Sequence, residues 1–354
     1  QTLAKEIQLD FISFRNLYPK FLYPGETNEK DPKFRIDESR NLKIKRTIDY
    51  FNPFTWVKAS FLPKTKAVHL QWWSMPLAPV FFLILAILKS RKKGIILTVH
   101  NVLPHESSLL DKITSRLIFS FADYLIVHSQ QNKKQLSDFF DIDKRRIKVI
   151  EMGVHDMYMH KRVPKKDAKE KLGLSSDNVL LSFGNIRKYK GIDTLIEAFS
   201  LVERKHKDAV LLIAGKWWTD KKPYIRLIKR EKVSGSVKIY DEYVPMSKVS
   251  LFFSACDIVL LPYKHFDAQS GVGNIALAFN KPLVVSKVGS LPELVNDKRA
   301  IFEPGNHEQL ATRILEILES RKTRAKLSQD SKQLCSKYSW DNAARKTIQI
   351  YKRI

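Results

Sequence analysis

Cysteine is almost absent from this 354-residue chain. Only Cys256 and Cys335 occur, far apart and in no metal-ligand spacing. That excludes a disulfide-stapled scaffold and a cysteine metal centre, and it fits a reducing, cytoplasmic compartment. Cys256 reads as a small core residue at an apolar helix end. Acidic residues are in deficit: 37 Asp and Glu stand against 62 Lys and Arg, a net charge of +25. Such a surplus favours polyanions, whether nucleic acid, anionic lipid or nucleotide diphosphates. The cations are scattered in small groups (Lys133-Lys134, Lys144-Arg145-Arg146, Lys165-Lys166, Lys221-Lys222, Lys229-Arg230), each best read alone as solubilising surface. No signal peptide is expected. The apolar run Pro76 to Leu88 falls short of the ~20 residues of a bilayer span. It reads as a core helix, with a membrane-dipping helix as the minority reading. Neither a Walker loop nor a six-residue Gly-x-Gly-x-x-Gly fingerprint occurs.

What is present is an α/β pattern. With 44% hydrophobic and 28% charged residues, the chain is globular, and its length suits two domains. It opens on a helix-like piece, Gln1 to Ile7, and a strand, Phe11 to Phe14, so the expectation is that a first strand is absent. A long Pro- and aromatic-rich loop follows, then a candidate short strand, Lys43 to Asp49, and a helix after Asn52-Pro53. Strands are expected at Val68–Trp73, Gly94–Val99, Tyr124–Val127 and Ile147–Ile150, with helices between them. The continuous apolar character of these strands is the mark of a parallel sheet buried on both faces. Residues 157–177 are basic and polar and read as a linker. A second α/β run begins near 178 and continues to 338. A last helix follows the N-cap Ser339.

Candidate chemistry gathers at the carboxyl ends of strands, where open α/β sheets bind ligands. In the stretch Leu260 to Glu293, a strand, a polar loop with Asp267, and Gln269-Ser270-Gly271-Val272 lead into a helix N-terminus suited to phosphate. The loop Gly184 to Gly191 holds Asn185, Arg187 and Lys190 in an equivalent position. Two such loops converging would enclose a diphosphate. Taken singly, each is also an ordinary strand-to-helix turn. His100 ends a buried strand, with His105, Glu106 and His128 nearby, in no spacing that marks a metal site. Trp72-Trp73 and Trp217-Trp218 are candidates for stacking a sugar or base, or plain structural pairs.

FGNIRKYKGIDTLIEAF, ACDIVLLPY and AFNKPLVVSKVGSLPELV, in this order and spacing, resemble the carboxyl-terminal domain of retaining glycosyltransferases of family four. LTVHNVLPHE, ADYLIVHS and RIKVIEMGV fit the first half, so the resemblance covers nearly the whole chain. It implies the GT-B fold: two Rossmann-like domains facing across a cleft, with the last helix, residues 339–354, crossing back to the first domain. It implies an acceptor-binding domain at 1–156 and a donor-binding domain at 178–338. The implied reaction moves a hexose from a nucleotide-sugar to a glycan or lipid-linked acceptor, with retention, no metal and no cofactor. Mapped onto this chain, the donor would meet Gly184, Asn185, Arg187, Lys190, Gln269, Ser270, Gly271 and Val272. Catalysis would fall to His100, Asp267, Arg187 and Lys190, and acceptor contacts to His100, Asn101, Trp72 and Trp73. There are departures. Asn185 stands where the family has Arg, with Arg187 two residues on. The second glutamate of the Glu-x7-Glu pattern is Ile275, which cannot hold a ribose, although Gln269 to Val272 resembles a known variant. The competing readings are a basic nucleic-acid or nucleotide-binding protein, for which no nucleic-acid motif appears, and an inactive homologue. An anionic membrane surface is a further expected partner, with the protein peripheral on its inner face.

Overall fold

The computed structural model describes residues 1–17, 38–73, 75–102, 109–266 and 269–354, with the backbone alone at 160 and 161. The chain divides into two compact units, one of residues 1–151 with 340–354 and one of residues 152–339.

In the first unit, β1 (Leu9–Asn16) and β2 (Leu42–Asp49) pair in parallel. A second parallel sheet runs in the order β3 (Ala67–Trp72), β4 (Gly94–Val99), β5 (Tyr124–Val127), β6 (Ile147–Val149). Parallel neighbours need crossovers, and these are α2 (Ala78–Ser90), α3 (Leu109–Ser120) and α4 (Gln130–Phe140). Helix α1 (Pro53–Phe61) starts where Asn52 accepts a hydrogen bond from the Phe54 amide at 3.1 Å, with Pro53 at the first position. Only a single 3-10 turn, Leu3–Lys5, forms at the start of the chain, where the sequence suggested a helix interior.

Successive strand residues face opposite sides, and both sides are apolar. Ile95, Leu97, Val99, Leu125 and Val127 join the core with Val80, Leu85 and Phe119. Ile96 and Ile126 face the other way and meet Ile350, so α12 (Trp340–Tyr351) covers that face. Lys346 pairs with Glu151 at 2.5 Å, and Ile354 packs so closely on Gly94 that a Cβ there would stand 2.0 Å from it. The last helix is therefore part of the first unit.

The second unit holds one six-stranded parallel sheet. Its strands are β7 (Val179–Phe183), β8 (Val210–Ala214), β9 (Val237–Tyr240), β10 (Ile258–Leu261), β11 (Leu283–Ser286) and the two-residue β12 (Ile301–Phe302). Leu180, Leu211, Ile213, Ile258, Leu260 and Val284 enter one core, and Leu181, Leu212, Val259, Leu261 and Val285 the other. Helices α5 (Lys165–Lys171), α6 (Ile192–Lys205), α7 (Lys222–Arg230), α8 (Met246–Ala255), α9 (Gly271–Ala278), α10 (His307–Glu319) and α11 (Arg321–Lys337) complete it. Residues 157–177, read from sequence as a linker, belong to this unit. Helix α5 packs on α8, and Lys165 pairs with the buried Asp257, which also accepts from the Val179 amide.

The sheet order is β12-β11-β10-β7-β8-β9. Chain direction across the sheet therefore reverses between β7 and β10, which makes their carboxyl ends the topological switch point.

Because Ile350 is 4% exposed and seals one sheet face, Ile350→Ala is expected to destabilise the first unit by about 2–4 kcal/mol, and Ile350→Val by roughly 0.5–1.5 kcal/mol. Urea unfolding measures both, and equal stability of Ile350→Ala and wild type would contradict this packing.

Candidate functional site

The two loops singled out from sequence meet at the β7/β10 switch point. Lys264 N donates to Tyr189 O at 2.7 Å, and Gly191 approaches Pro262 so closely that a Cβ would stand 1.9 Å from its carbonyl oxygen. Gly191 also has φ +65°, so glycine is required there twice over. At the other end of the loop, Gly184 has φ +94°. A side chain at 184 would stand 3.2 Å from Val272 Cγ2 and 3.3 Å from Lys190 Nζ. Gly184, Lys190 and the first turn of α9 thus surround one small space.

Lys190 is buried, 5% exposed. Its ammonium donates to Phe183 O at 3.2 Å and to Tyr263 Oη at 3.0 Å. Burial pulls its pKa down to about 8, because the charged form loses water. Burial likewise raises the Tyr263 phenol, so it stays protonated, and its hydroxyl lies against Ser270. Ser270 in turn caps α9 by accepting from Gly273 N at 3.1 Å. Gly271 and Val272 open the helix, and first-turn amides have no partner inside a helix. Lys190, Tyr263 and Ser270 therefore form a continuous polar link between the β7 loop and the helix N-terminus.

Arg187 is exposed, its guanidinium 5.1 Å over the Trp218 ring. Asn185 is exposed as well. Gln269 is committed in part, its Oε1 accepting from Met152 N at 3.1 Å. Ile275 is buried in the core, so it offers nothing to a ribose. Trp217 is a core residue packed edge-on against Tyr224, which leaves Trp218 as the presented member of that pair. Asp267 lies outside the described residues, as do His105 and Glu106. Two residues were missed from sequence. Tyr263, just beyond β10, accepts from Lys190, and His155 brings its Nε2 within 3.6 Å of where a Gly271 side chain would begin.

In the first unit, His100 lies at the end of β4, stacked on Trp73 with ring centroids 3.7 Å apart and planes 8° apart. Trp73 is half exposed. Asn101 is exposed and donates to Trp73 O at 2.9 Å, which fixes that backbone. The expectation for Trp72 is overturned. At 2% exposed, it packs edge-on against Phe81 and Phe119, because adjacent strand residues point to opposite faces.

Beneath Trp73 runs a row of side chains that the sequence did not reveal. Tyr351 Oη lies 2.7 Å from His69 Nδ1, and His69 Nε2 lies 2.6 Å from Thr98 Oγ1. His100 Nε2 donates to Gln71 Oε1 at 2.8 Å. His100 Nδ1 lies 3.3 Å from His128 Nε2, and His128 Nδ1 lies 2.9 Å from Ile150 O. A carbonyl only accepts, so His128 carries its hydrogen on Nδ1. Gln71 Oε1 likewise only accepts, so neutral His100 carries its hydrogen on Nε2, and the facing His100 Nδ1 and His128 Nε2 both lack one. Among the described residues, no group of three or more His, Cys, Asp and Glu is arranged to hold a metal ion.

Burial, helped by the neighbouring histidines, pushes His69 down to about 4 and His100 to about 3. Burial also lowers His128, against the Ile150 carbonyl and Glu151. Unfolded histidines titrate near 6.5. Between that value and about 4 the unfolded chain binds more protons, so stability is lost as pH falls through this window. The thermal midpoint of the wild type is expected to drop over that range, and less steeply for His69→Asn and His100→Asn. A flat wild-type profile would contradict a neutral buried row.

The sequence model of "Glycosyl transferases group 1" matches residues 164–334, and that of "Glycosyltransferase Family 4" matches residues 28–156. The chain is 27% identical over 242 residues to the uncharacterized glycosyltransferase MJ1607 of Methanocaldococcus jannaschii, covering 64% of this chain and 59% of that protein. It is 25% identical over 246 residues to D-inositol 3-phosphate glycosyltransferase 2 of Catenulispora acidiphila, covering 66% of this chain and 56% of that protein. The chain thus spans somewhat over half the length of these relatives. Among solved structures, Anabaena Alr3699/HepE in complex with UDP superposes with a TM-score of 0.71 at 16% identity, covering 88% of this chain and 86% of that one. Matched by these two models over most of its length and folded as two Rossmann-like units, the chain belongs to the GT-B glycosyltransferases of the family-four type.

Proposed function

We propose that this protein transfers a hexose from a nucleotide-sugar to a glycan or lipid-linked acceptor, with retention at the anomeric carbon. The observation that carries the reading is the meeting of the Gly184–Gly191 loop with the first turn of α9 at the switch point. A diphosphate there would take the Gly271 and Val272 amides, the positive end of the helix dipole, the remaining N–H of Lys190 and the exposed charge of Arg187. The UDP complex of the structurally similar Anabaena protein supports a nucleotide donor.

Departure of the nucleotide builds negative charge on the diphosphate and positive charge on the anomeric carbon. The cations and amides stabilise the first, in a site already organised for it. Lys190 and Arg187 carry this charge without requiring a metal ion. Asp267 is the proposed partner of the sugar hydroxyls. With no enzyme nucleophile assigned, attack comes from the face the leaving group vacates. The acceptor oxygen bonds to the anomeric carbon as the carbon–phosphate oxygen bond breaks, and the acceptor proton passes to that phosphate oxygen.

In the first unit the proposed acceptor platform is Trp73, with His100 behind it. His100 Nε2 is held by Gln71 Oε1 and its Nδ1 faces His128, so its part is to hold the indole, with Asn101 fixing the same backbone. A free sugar face stacking on Trp73 contributes roughly 0.5–1.5 kcal/mol beyond its buried area. The setting we propose is cytoplasmic and peripheral to an anionic membrane. Among the described residues no helix is long and apolar enough to cross a membrane.

UDP-, GDP- and ADP-sugars, screened by thermal shift, are expected to include one that raises the midpoint, since a ligand bound only by the native state stabilises it. Arg187→Ala and Lys190→Ala are each expected to cut transfer by roughly 100-fold or more and to weaken that shift, with the fold intact by circular dichroism. Near-normal transfer in both variants would remove this loop from the site.

A further inference from the structure

Three helices of the first unit form one layer on the β4 and β5 face opposite α12, with α2 packed between α1 and α3. The run Pro76 to Leu88 contributes core. Leu77, Ala78, Val80, Phe81, Ile84, Leu85 and Leu88 are all buried, and Phe82 alone among its large apolar residues is well exposed. Trp72 is also inside. The apolar surface lies instead on the flanking helices. Helix α1 exposes Phe54, Val57 and Phe61, and α3 exposes Leu110, Ile113 and Leu117. Both sets have the three-then-four spacing of one helical stripe, and both point away from the sheet. Phe54 is 85% exposed and Leu110 74%, values that are costly to leave in water when repeated along two neighbouring helices.

The charge around these stripes is mostly positive. Residues 53–122 contain nine Lys and Arg against two acids, Glu106 and Asp111. Lys58 is exposed beside the α1 stripe, and Lys112 and Arg116 border the α3 stripe. Arg91 places its guanidinium 4.8 Å over the Phe61 ring, so cation and apolar surface are interleaved. Apolar side chains projecting from a basic helical face are what binding in the plane of an anionic bilayer requires. The rings enter the acyl boundary and the cations meet the headgroups. A second copy fits worse, because pairing this face with itself would bring two positive surfaces together.

We propose that the α1–α3 layer is the surface by which this protein docks on an anionic lipid membrane. Phe54, Phe61, Leu110 and Leu117 are its inserting side chains, and Lys58, Lys112 and Arg116 its headgroup contacts. The docking deepens the reading of a lipid-linked acceptor and rests on it for its purpose, but it requires no donor and is measured without one.

The test is co-sedimentation of the full chain with phosphatidylcholine vesicles, with and without phosphatidylglycerol, in the absence of nucleotide. Binding is expected only with the anionic lipid and is expected to weaken as salt rises. Phe54→Ser with Phe61→Ser, and Leu110→Ser with Leu117→Ser, are each expected to lower partitioning roughly tenfold or more. Lys112→Glu with Arg116→Glu is expected to do so without removing any apolar group. All these side chains are exposed, so unchanged thermal midpoints confirm folding. No sedimentation with anionic vesicles would overturn the proposal. So would undiminished binding in all three variants, or concentration-dependent dimers in sedimentation velocity that the same substitutions abolish. The nucleotide thermal shift is read separately, so loss of the donor reading leaves the docking result standing, and the reverse.

Discussion

An ammonium group held almost out of water is the constraint around which the second unit is arranged. Lys190 reaches back under its own loop to Phe183 O and Tyr263 Oη, and that reach is possible because Gly191 turns the chain at φ +65° against the Pro262 carbonyl. The same tyrosine touches Ser270, the cap of α9. Desolvation of the lysine costs free energy, visible in its pKa drawn down to about 8. An anion brought to Gly184 would relieve that cost. The loop would thus be preorganised for an anionic ligand.

The first unit uses the opposite electrostatic device. Its buried polar row is neutral, with histidine tautomers set by acceptor oxygens, Ile150 O for His128 and Gln71 Oε1 for His100. The row ends at Tyr351 of the returning helix, so α12 closes a sheet face and also supplies one end of this row. Trp73 lies flat on the one histidine that the row holds at the end of β4. Polar groups thus support an exposed aromatic surface without presenting charge to it.

Much of this could be read in the sequence, for reasons that can be named. The parallel sheets showed as continuous apolar runs because both faces of each are covered. The two candidate loops showed as glycine-containing polar turns at strand ends. What stayed hidden depends on partners far apart in the chain. His69 and Tyr351 meet across 282 residues, and Lys190 and Tyr263 across 73, so neither pair leaves a local pattern. The Trp72-Trp73 pair was visible, but strand alternation alone could not say which ring faced Phe81 and Phe119. Residues 157–177 read as a linker on composition, because the ion pair from Lys165 to Asp257 that ties them down spans 92 residues. The apolar stripes of α1 and α3 were likewise indistinguishable from core-facing stripes until their exposure was known.

The most direct measurement concerns the lysine itself. Binding of the tightest of UDP, GDP and ADP is followed by calorimetry above pH 7.5, in two buffers of different ionisation heat, with wild type and Lys190→Met. If the diphosphate sits beside Lys190, the free ammonium titrating at about 8 is re-protonated on binding. Wild type then takes up a fraction of a proton, and its affinity falls up to about tenfold per pH unit above that value, while Lys190→Met shows neither effect. Tight binding with no proton uptake and a flat pH profile would place the nucleotide elsewhere and contradict the site described.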